Sequence, residues 1–401
     1  MSSPARLSQR LPRSFYARVQ ADVRHQLDEE GLDAVLCEDW RDVAYLTGFF
    51  HTPTERPVLV VVTADRTIGL VPALEYEYAQ QQDIAVDELV AYPEYPGVRS
   101  PQEVLADALA GATGRWGHAW TLSTGDLGKL RAAMGGVEWV GTHLVDRMRL
   151  VKYDEEIVLH REAAKLGDVM LAAGRELVEG RIAEGGPLPS EAELAKHVIG
   201  RGTAWMYETH DDVVVVPLLA GGLVYSGPNS AYPHGLVTEH RLQPGETFIL
   251  SLGGAVGGRY AESERTFVLG EPTAQQRALF ETDARAQHVG TESIRPGATC
   301  ADVNAGCLDV IRDAGYAEHI RHRQGHGIGL NFHEPPWLED GDDTPLAAGM
   351  VVSSEPGIYV LGHAGYRISD TVLVTADGRE RLTTFPRDLE SSIIPVKESS
   401  R

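Results

Sequence analysis

The sequence predicts two domains of different class: an α/β domain over residues 1–149, then an α+β domain with an antiparallel sheet over residues 150–401. Three observations predict this. Up to about residue 149 helix and strand signals alternate, whereas beyond it both helices and strands come in pairs, as in folds that segregate them. The run PVLVVVT, Pro57 to Thr63, is apolar without interruption, as in a strand covered on both faces. A chain of 401 residues is long enough for two cores.

In the first domain, Arg18 to Gly31 reads as a helix closed by a glycine, which adopts the left-handed C-terminal conformation without steric cost. Asp33 to Leu36 follows as a short strand, and Thr47-Gly48-Phe49-Phe50 ends the next short helix. Ile68 to Val71 pairs with the Pro57–Thr63 strand across the turn at Asp65-Arg66. Pro101 to Ala110 is helical, and Trp120–Leu122 and Val137–Val140 read as strands. No catalytic motif falls in this domain.

The boundary lies between Met148 and Asp154. Beyond it Leu159, Ala163, Leu166, Met170, Ala173 and Leu177 form a one-sided apolar stripe, the mark of an amphipathic helix. Ser190 with Glu193, Thr273 with Gln276 and Thr299 with Asp302 carry helix-start signals, the first two as capping boxes. The helices they open are expected to end near Ile199, Ile294 and Gly315. Strands are expected at Asp211–Leu219, Thr247–Leu252, Thr266–Leu269, Gly349–Ser354 and Thr371–Thr375. A weak repeat links Gly245 with Gly349: each precedes an apolar strand and puts a polar residue, Ser251 or Glu355, six positions on. A true repeat would bring two strand ends to one site.

Composition narrows the function. Lys plus Arg number 36 against 58 Asp plus Glu, a net charge of −22, which excludes nucleic acid and anionic membrane as natural partners. Cys37, Cys300 and Cys307 are too few and too scattered for a disulfide framework or a thiolate metal site. Cys300 and Cys307 fall in one helix, as packing residues. Met1 to Arg13 is polar and basic, unlike a signal peptide, and no run reaches transmembrane length. A cytoplasmic protein acting on a small molecule is the expectation.

The stretch richest in chemistry is Gly325-His326-Gly327-Ile328-Gly329-Leu330-Asn331-Phe332-His333-Glu334-Pro335. Its histidines lie seven residues apart, a period of neither an amphipathic helix nor a strand. Histidine shuttles protons near neutral pH and binds metals, and glycine admits close backbone approach.

Together with Pro233-His234, Glu262-Ser263-Glu264-Arg265-Thr266, Ser354-Glu355-Pro356-Gly357 and Gly365-Tyr366-Arg367-Ile368-Ser369-Asp370-Thr371, this stretch resembles the creatinase/prolidase/methionine aminopeptidase superfamily, the M24 or pita-bread fold. The pieces occur in the family's order from about residue 150 to 395, and the first domain resembles the creatinase and prolidase N-terminal type. The resemblance implies a homodimer and a C–N hydrolase. It also implies a two-metal site of Asp, Asp, His, Glu and Glu in the peptidase branches. Here those positions hold Ser251, Glu262, His326, Glu355 and Ser369. A serine hydroxyl does not replace a bridging carboxylate, so no dinuclear site is expected.

Creatinase is similar in having the fold without metals. By that resemblance His234, His326, Glu264 and Glu355 are catalytic, with His234 as acid/base, and Glu262, His333 and Arg56 bind substrate. Paired carboxylates at Glu264 and Glu355 suit a planar cation, and Arg56, from the neighbouring subunit, suits a carboxylate. A second carboxylate-binding arginine of creatinase falls near Pro335, so creatine itself is not the expected substrate. The first expectation is therefore a hydrolase of a small cationic or zwitterionic substrate without a cofactor. One alternative is an Xaa-Pro dipeptidase or aminopeptidase with a single Mn, Zn or Fe ion on Glu262, His326 and Glu355. Another is a pita-bread binding protein without catalysis.

Overall fold

The structure, a computed structural model, describes residues 6–95, 97–217 and 219–396. Contacts divide the chain into two compact units, Arg10–Arg149 and Leu150–Arg401, the described residues up to Gln9 belonging to the second. Among the described residues no helix is long and apolar enough to cross a membrane.

The first unit is built on a six-stranded sheet ordered Glu88–Tyr92, Thr67–Pro72, Leu59–Thr63, Ala34–Cys37, Gly114–Ala119 and Val137–Thr142. Leu59–Thr63 runs antiparallel to both neighbours and the other pairings are parallel. The first helix, Arg13–Glu30, begins earlier than Arg18 and closes on Gly31 at φ +62°. Trp120–Leu122 is not a strand. The pairing strand is Gly114–Ala119, and Trp120 is exposed in the turn after it. Gly117 explains the misreading, since a Cβ there would lie 2.8 Å from Thr142; close approach selects glycine and erases the apolar signal.

In the second unit the strand order is Glu334–Leu338, Gly325–Gly327, Val351–Ser354, Ser369–Thr375, Arg259–Leu269, Thr247–Val256 and Ala220–Ser226. Every pairing along this path is antiparallel. Two helix pairs accompany it, Asp154–Glu184 with Glu191–Thr209 and Ala274–Ser293 with Cys300–Asp313. The capping boxes at Ser190 and Thr273 form as read, and Thr299 caps the fourth helix. Leu159, Ala163, Leu166, Met170 and Ala173 are buried. Cys300 and Cys307 are buried in their shared helix.

The repeat is real in the backbone. Gly245 and Gly349 take φ +88° and +90°. The Gly245 N–H donates to Leu269 O and the Gly349 N–H to Val374 O; Leu269 N–H returns to Glu246 O and Val374 N–H to Met350 O. Each second helix of a pair is tied at its N-cap to the residue four before the glycine, Ser190 to Arg241 and Thr299 to Pro345.

Three expectations need correction. The strand expected at Asp211–Leu219 is reduced to its first residue, Asp211, which pairs with Ser8; Asp212 sits at φ +51°, the Val214 N–H donates to the Gln9 side chain, not to a ladder, and residue 218 lies outside the described residues. The helix from Glu191 runs past Ile199 to Thr209. Gly202 does not end it but lets it pass Met170, whose sulfur would be 2.7 Å from a Cβ there. Finally, the strand expected at Thr266–Leu269 begins at Arg259 and is buried throughout, its polar residues having hidden its length.

Candidate active site

Sheet register builds the site. Ser251, Glu264 and Ser369 lie side by side on three adjacent strands. Two residues along, and so on the same face, the row is Gly253, Glu262, Thr371 and Ser353. Thr371 Oγ1 fixes the Glu262 backbone, accepting from its N–H at 2.8 Å and donating to its carbonyl at 2.9 Å. The Glu262 carboxylate accepts from Ser353 Oγ at 3.0 Å and from Ser369 Oγ.

His326 reaches this row because glycines flank it. A Cβ at Gly325 would lie 2.0 Å from Ser353 O, and one at Gly327 2.2 Å from Pro335 O. With Nδ1 as donor to Gly327 O at 2.9 Å, the ring is oriented and Nε2 faces the carboxylates. Nε2 stands 3.1 Å from Glu355 and 3.6 Å from Glu262, yet makes no aligned hydrogen bond. Burial alone would push His326 down, but the close approach and charge of Glu262 and Glu355 raise it to about 10. Burial would raise Glu355, but His326 holds it well below the usual carboxylate range. Glu355 is placed by its N–H, which donates to Gln324 O at 2.7 Å. The His333 ring packs 4.1 Å from that of His326 and is lowered by burial and by His326.

The other side of the site is different. Glu264 accepts from Ser251 Oγ, and its Oε2 forms an ion pair with Arg367 Nε at 2.7 Å, a charge contact without an aligned hydrogen bond, both side chains being almost fully buried. Burial pushes Glu264 up to about 8; Arg367 opposes this and Glu262 and Glu355 add to it. Arg367 Nη1 donates to Pro233 O at 3.3 Å, and Tyr225 Oη donates to the same carbonyl at 3.1 Å. These contacts hold the loop that presents His234, whose own side chain is exposed. Asp370 pairs with Arg265 at 2.7 Å and is fully buried, a structural role.

Sequence reasoning missed His322, whose Nε2 is 2.8 Å from Tyr359 Oη. Burial lowers its pKa; Glu355 opposes this, while Arg367 and His234 reinforce it. The only signal was its position four residues before His326. Glu334 turns inward to Lys152 at 3.1 Å, both buried, and braces the histidine loop. Arg56 belongs to the first unit, where it pairs with Glu94 and, at 2.8 Å, with Glu55 beside a cavity of about 650 Å³. The structure therefore gathers Glu262, Glu264, His326, His333 and Glu355, with His234 on the loop tied to Arg367, and leaves Arg56 in the other unit.

Two sets of side chains present ligand atoms within 4.8 Å of one another: Glu262, His326 and His333, and Glu262, Glu264 and Glu355. The first joins a carboxylate to imidazoles around the buried, unbonded Nε2 of His326, a donor set suited to one transition-metal ion. The single-ion alternative named Glu262, His326 and Glu355; among the described residues Glu262 and His326 fall in this first set with His333, and Glu355 falls in the second. The second set does not fit so well, because Glu264 is already bound to a guanidinium.

These features have counterparts in known proteins. The model of metallopeptidase family M24 matches residues 159–376, and that of the creatinase/prolidase N-terminal domain residues 20–151. The probable dipeptidase PepE of Mycobacterium bovis is 32% identical over 97% of this chain and 99% of its own. An Xaa-Pro dipeptidase of Lactobacillus helveticus is 31% identical over 89% and 93%. Among solved structures, dipeptidase PepE from Mycobacterium ulcerans superposes with a TM-score of 0.82 at 30% identity, covering 96% of this chain and 100% of that one. The prolidase from Pyrococcus horikoshii OT3 gives 0.79 at 27%, over 93% and 99%. The family and its relatives are those of a hydrolase of C–N bonds. The chain belongs to metallopeptidase family M24.

Proposed function

We propose that this enzyme is a dipeptidase of the Xaa-Pro type that works with one divalent ion, Mn, Zn or Fe, held by Glu262, His326 and Glu355 with His333 alongside. The observation that carries the reading is the His326 Nε2, buried between two carboxylates without an aligned hydrogen bond. The M24 relatives, dipeptidases by name, support the substrate class. When bound, such an ion would polarise the scissile carbonyl and acidify a water. In this reading His234, exposed on a loop anchored through Pro233 O, gives a proton to the leaving nitrogen. His322, bonded to Tyr359 Oη, feels the charges of both His234 and Glu355.

The creatinase-like alternative loses ground on charge. It needs Glu264 and Glu355 free to grip a cationic substrate, but Arg367 engages the first and His326 the second. Arg56 enters the proposal as a carboxylate-binding residue supplied by a second copy of the chain in a C₂ homodimer.

The test is turnover of Xaa-Pro dipeptides, other dipeptides and guanidino acids by metal-stripped protein reloaded with each ion. Hydrolysis restricted to Xaa-Pro dipeptides and restored by one ion per chain is the expected result. Cleavage of a guanidino acid by stripped protein would return the creatinase-like reading to first place. For Arg56, sedimentation should show a dimer, and Arg56→Ala should raise KM more than it lowers kcat; a monomer would return Arg56 to the surface.

A further inference from the structure

We propose that the guanidinium of Arg367 is a resident cation that stands in for a second ion, and that it keeps the space between Glu262, Glu264 and Glu355 from taking any ion beyond the one held at His326. The inference deepens the single-ion reading, shares Glu262 and Glu355 with it, and turns on Arg367 and Glu264, which that reading does not use. Those three carboxylates offer oxygens within 4.8 Å of one another, an all-oxygen set of the kind hard cations select. Left alone, three buried carboxylates in that space would repel and would attract a divalent ion. They are not left alone. Arg367 Nε sits 2.7 Å from Glu264 Oε2, with both side chains at 5% exposure or less.

The guanidinium is held there by contacts independent of Glu264. Nη1 donates to Pro233 O at 3.3 Å and to Tyr359 Oη at 3.4 Å, the Arg367 N–H donates to Thr266 Oγ1 at 2.9 Å, and Thr266 Oγ1 returns to Arg367 O at 3.0 Å. Backbone and side chain are thus both clamped. The flanking register agrees. The residues beside Glu264 on either strand are Ser251 and Ser369, hydroxyls that satisfy carboxylates by hydrogen bonding and add no charge. A site that already contains a fixed cation has no use for further carboxylates at its edge. Arginine suits this role better than lysine because it is always charged and weakly hydrated.

The experiment counts ions, not turnover. Wild-type protein, Arg367→Gln and Glu264→Gln are stripped, reloaded with Mn²⁺, freed of excess and measured by elemental analysis, with native mass spectrometry as a second count. Arg367→Gln keeps a planar donor for Pro233 O but removes the charge. It is expected to hold one Mn²⁺ more per chain than wild type, and its melting temperature should rise with added Mn²⁺ by a larger margin. Glu264→Gln is expected to hold the wild-type number. A folded Arg367→Gln protein with no gain overturns the proposal. If Arg367→Gln does not fold, Glu264→Gln decides: loss of an ion makes Glu264 a ligand in the native site and overturns it, and an unchanged count supports it. The wild-type count separately tests the proposed function. A baseline of zero with a gain of one in Arg367→Gln would sink the single-ion reading and leave this one standing.

Discussion

The second unit is one backbone used twice with different side chains. Around Gly245 and around Gly349 the turn, the cross-strand hydrogen bonds and the helix tether correspond group by group. Six residues on, one copy has Ser251 against Glu264 and Arg367, and the other has Glu355 against His326. Backbone duplication therefore does not duplicate chemistry. One half presents an imidazole and carboxylates that a metal ion can share. The other presents a carboxylate already matched to a guanidinium, with hydroxyls at its margins.

The sharpest break between the halves is expected in paired substitutions. His326→Ala should remove the bound ion and bring activity to the uncatalysed background, because among the described residues the other imidazole grouped with Glu262, that of His333, is exposed. Glu264→Gln should keep the ion and cost about 10- to 100-fold in activity, the usual effect of disturbing groups behind a metal's ligands. Elemental analysis and dipeptide kinetics on both variants check this. Equal loss of metal in the two would mean the halves form a single site.

His234→Ala follows. A positioned proton-transfer group is worth about 10²- to 10⁴-fold, so kcat should fall by that much while metal content and the mass of the assembly stay unchanged. A variant with wild-type kcat would move the proton route to another imidazole of the cluster, His326 beside Glu355 or His322, which feels the charge of Glu355.

What the sequence made legible divides along the same line. The duplicated frame was readable because local chemistry writes it: serine and threonine N-caps at Ser190, Thr273 and Thr299, and glycines where φ is positive. His326, Glu262, Glu264, His333 and Glu355 were readable as a constellation through their motifs. The Arg259–Leu269 strand was obscured because Glu262, Ser263, Glu264 and Arg265 are polar yet buried, their partners coming from distant strands. The Arg367–Glu264 pair and the His322–Tyr359 contact depend on register and packing, which no local pattern encodes. For the same reason the expected grip of Glu264 on a substrate cation could not be weighed against Arg367.

The buried ionisable groups on the two long helices should pull stability in opposite directions with pH. His160, on the first helix of the first pair, is fully buried; burial, then the Lys152 charge, lower it to about 3. The native state resists a proton that the unfolded chain binds, so stability should fall as pH drops from 6.5 toward 3. Asp283, on the first helix of the second pair, is raised well above 3.8 by burial. The native state keeps a proton that the unfolded chain releases, so stability should fall as pH rises above 3.8. Each slope is at most about 1.4 kcal/mol per pH unit. In denaturant titrations across pH, His160→Gln should flatten the acid side and Asp283→Asn the other. If either variant leaves the slope unchanged, its group titrates alike in both states.

The smallest effect tests the duplication itself. Gly245→Ala and Gly349→Ala each force a Cβ into a backbone near φ +90°, a strain of about 1–3 kcal/mol. If the two turns are equivalent, that part of the cost is common to both. The surroundings differ: nothing lies within 4 Å of a Cβ at Gly245, whereas one at Gly349 would meet Val151 at 2.8 Å and Lys152 O at 3.3 Å. Gly349→Ala should therefore be the more destabilising, by the clash alone, with the difference set by how far Val151, a partly exposed residue, can turn away. Adding Val151→Ala should remove most of the difference in chemical unfolding, leaving only the tight approach of the Gly349 Cβ to Lys152 O. If the full difference between the two substitutions persisted on that background, the clash with Val151 would not be its source, and the two turns would differ in backbone as well as in side-chain environment.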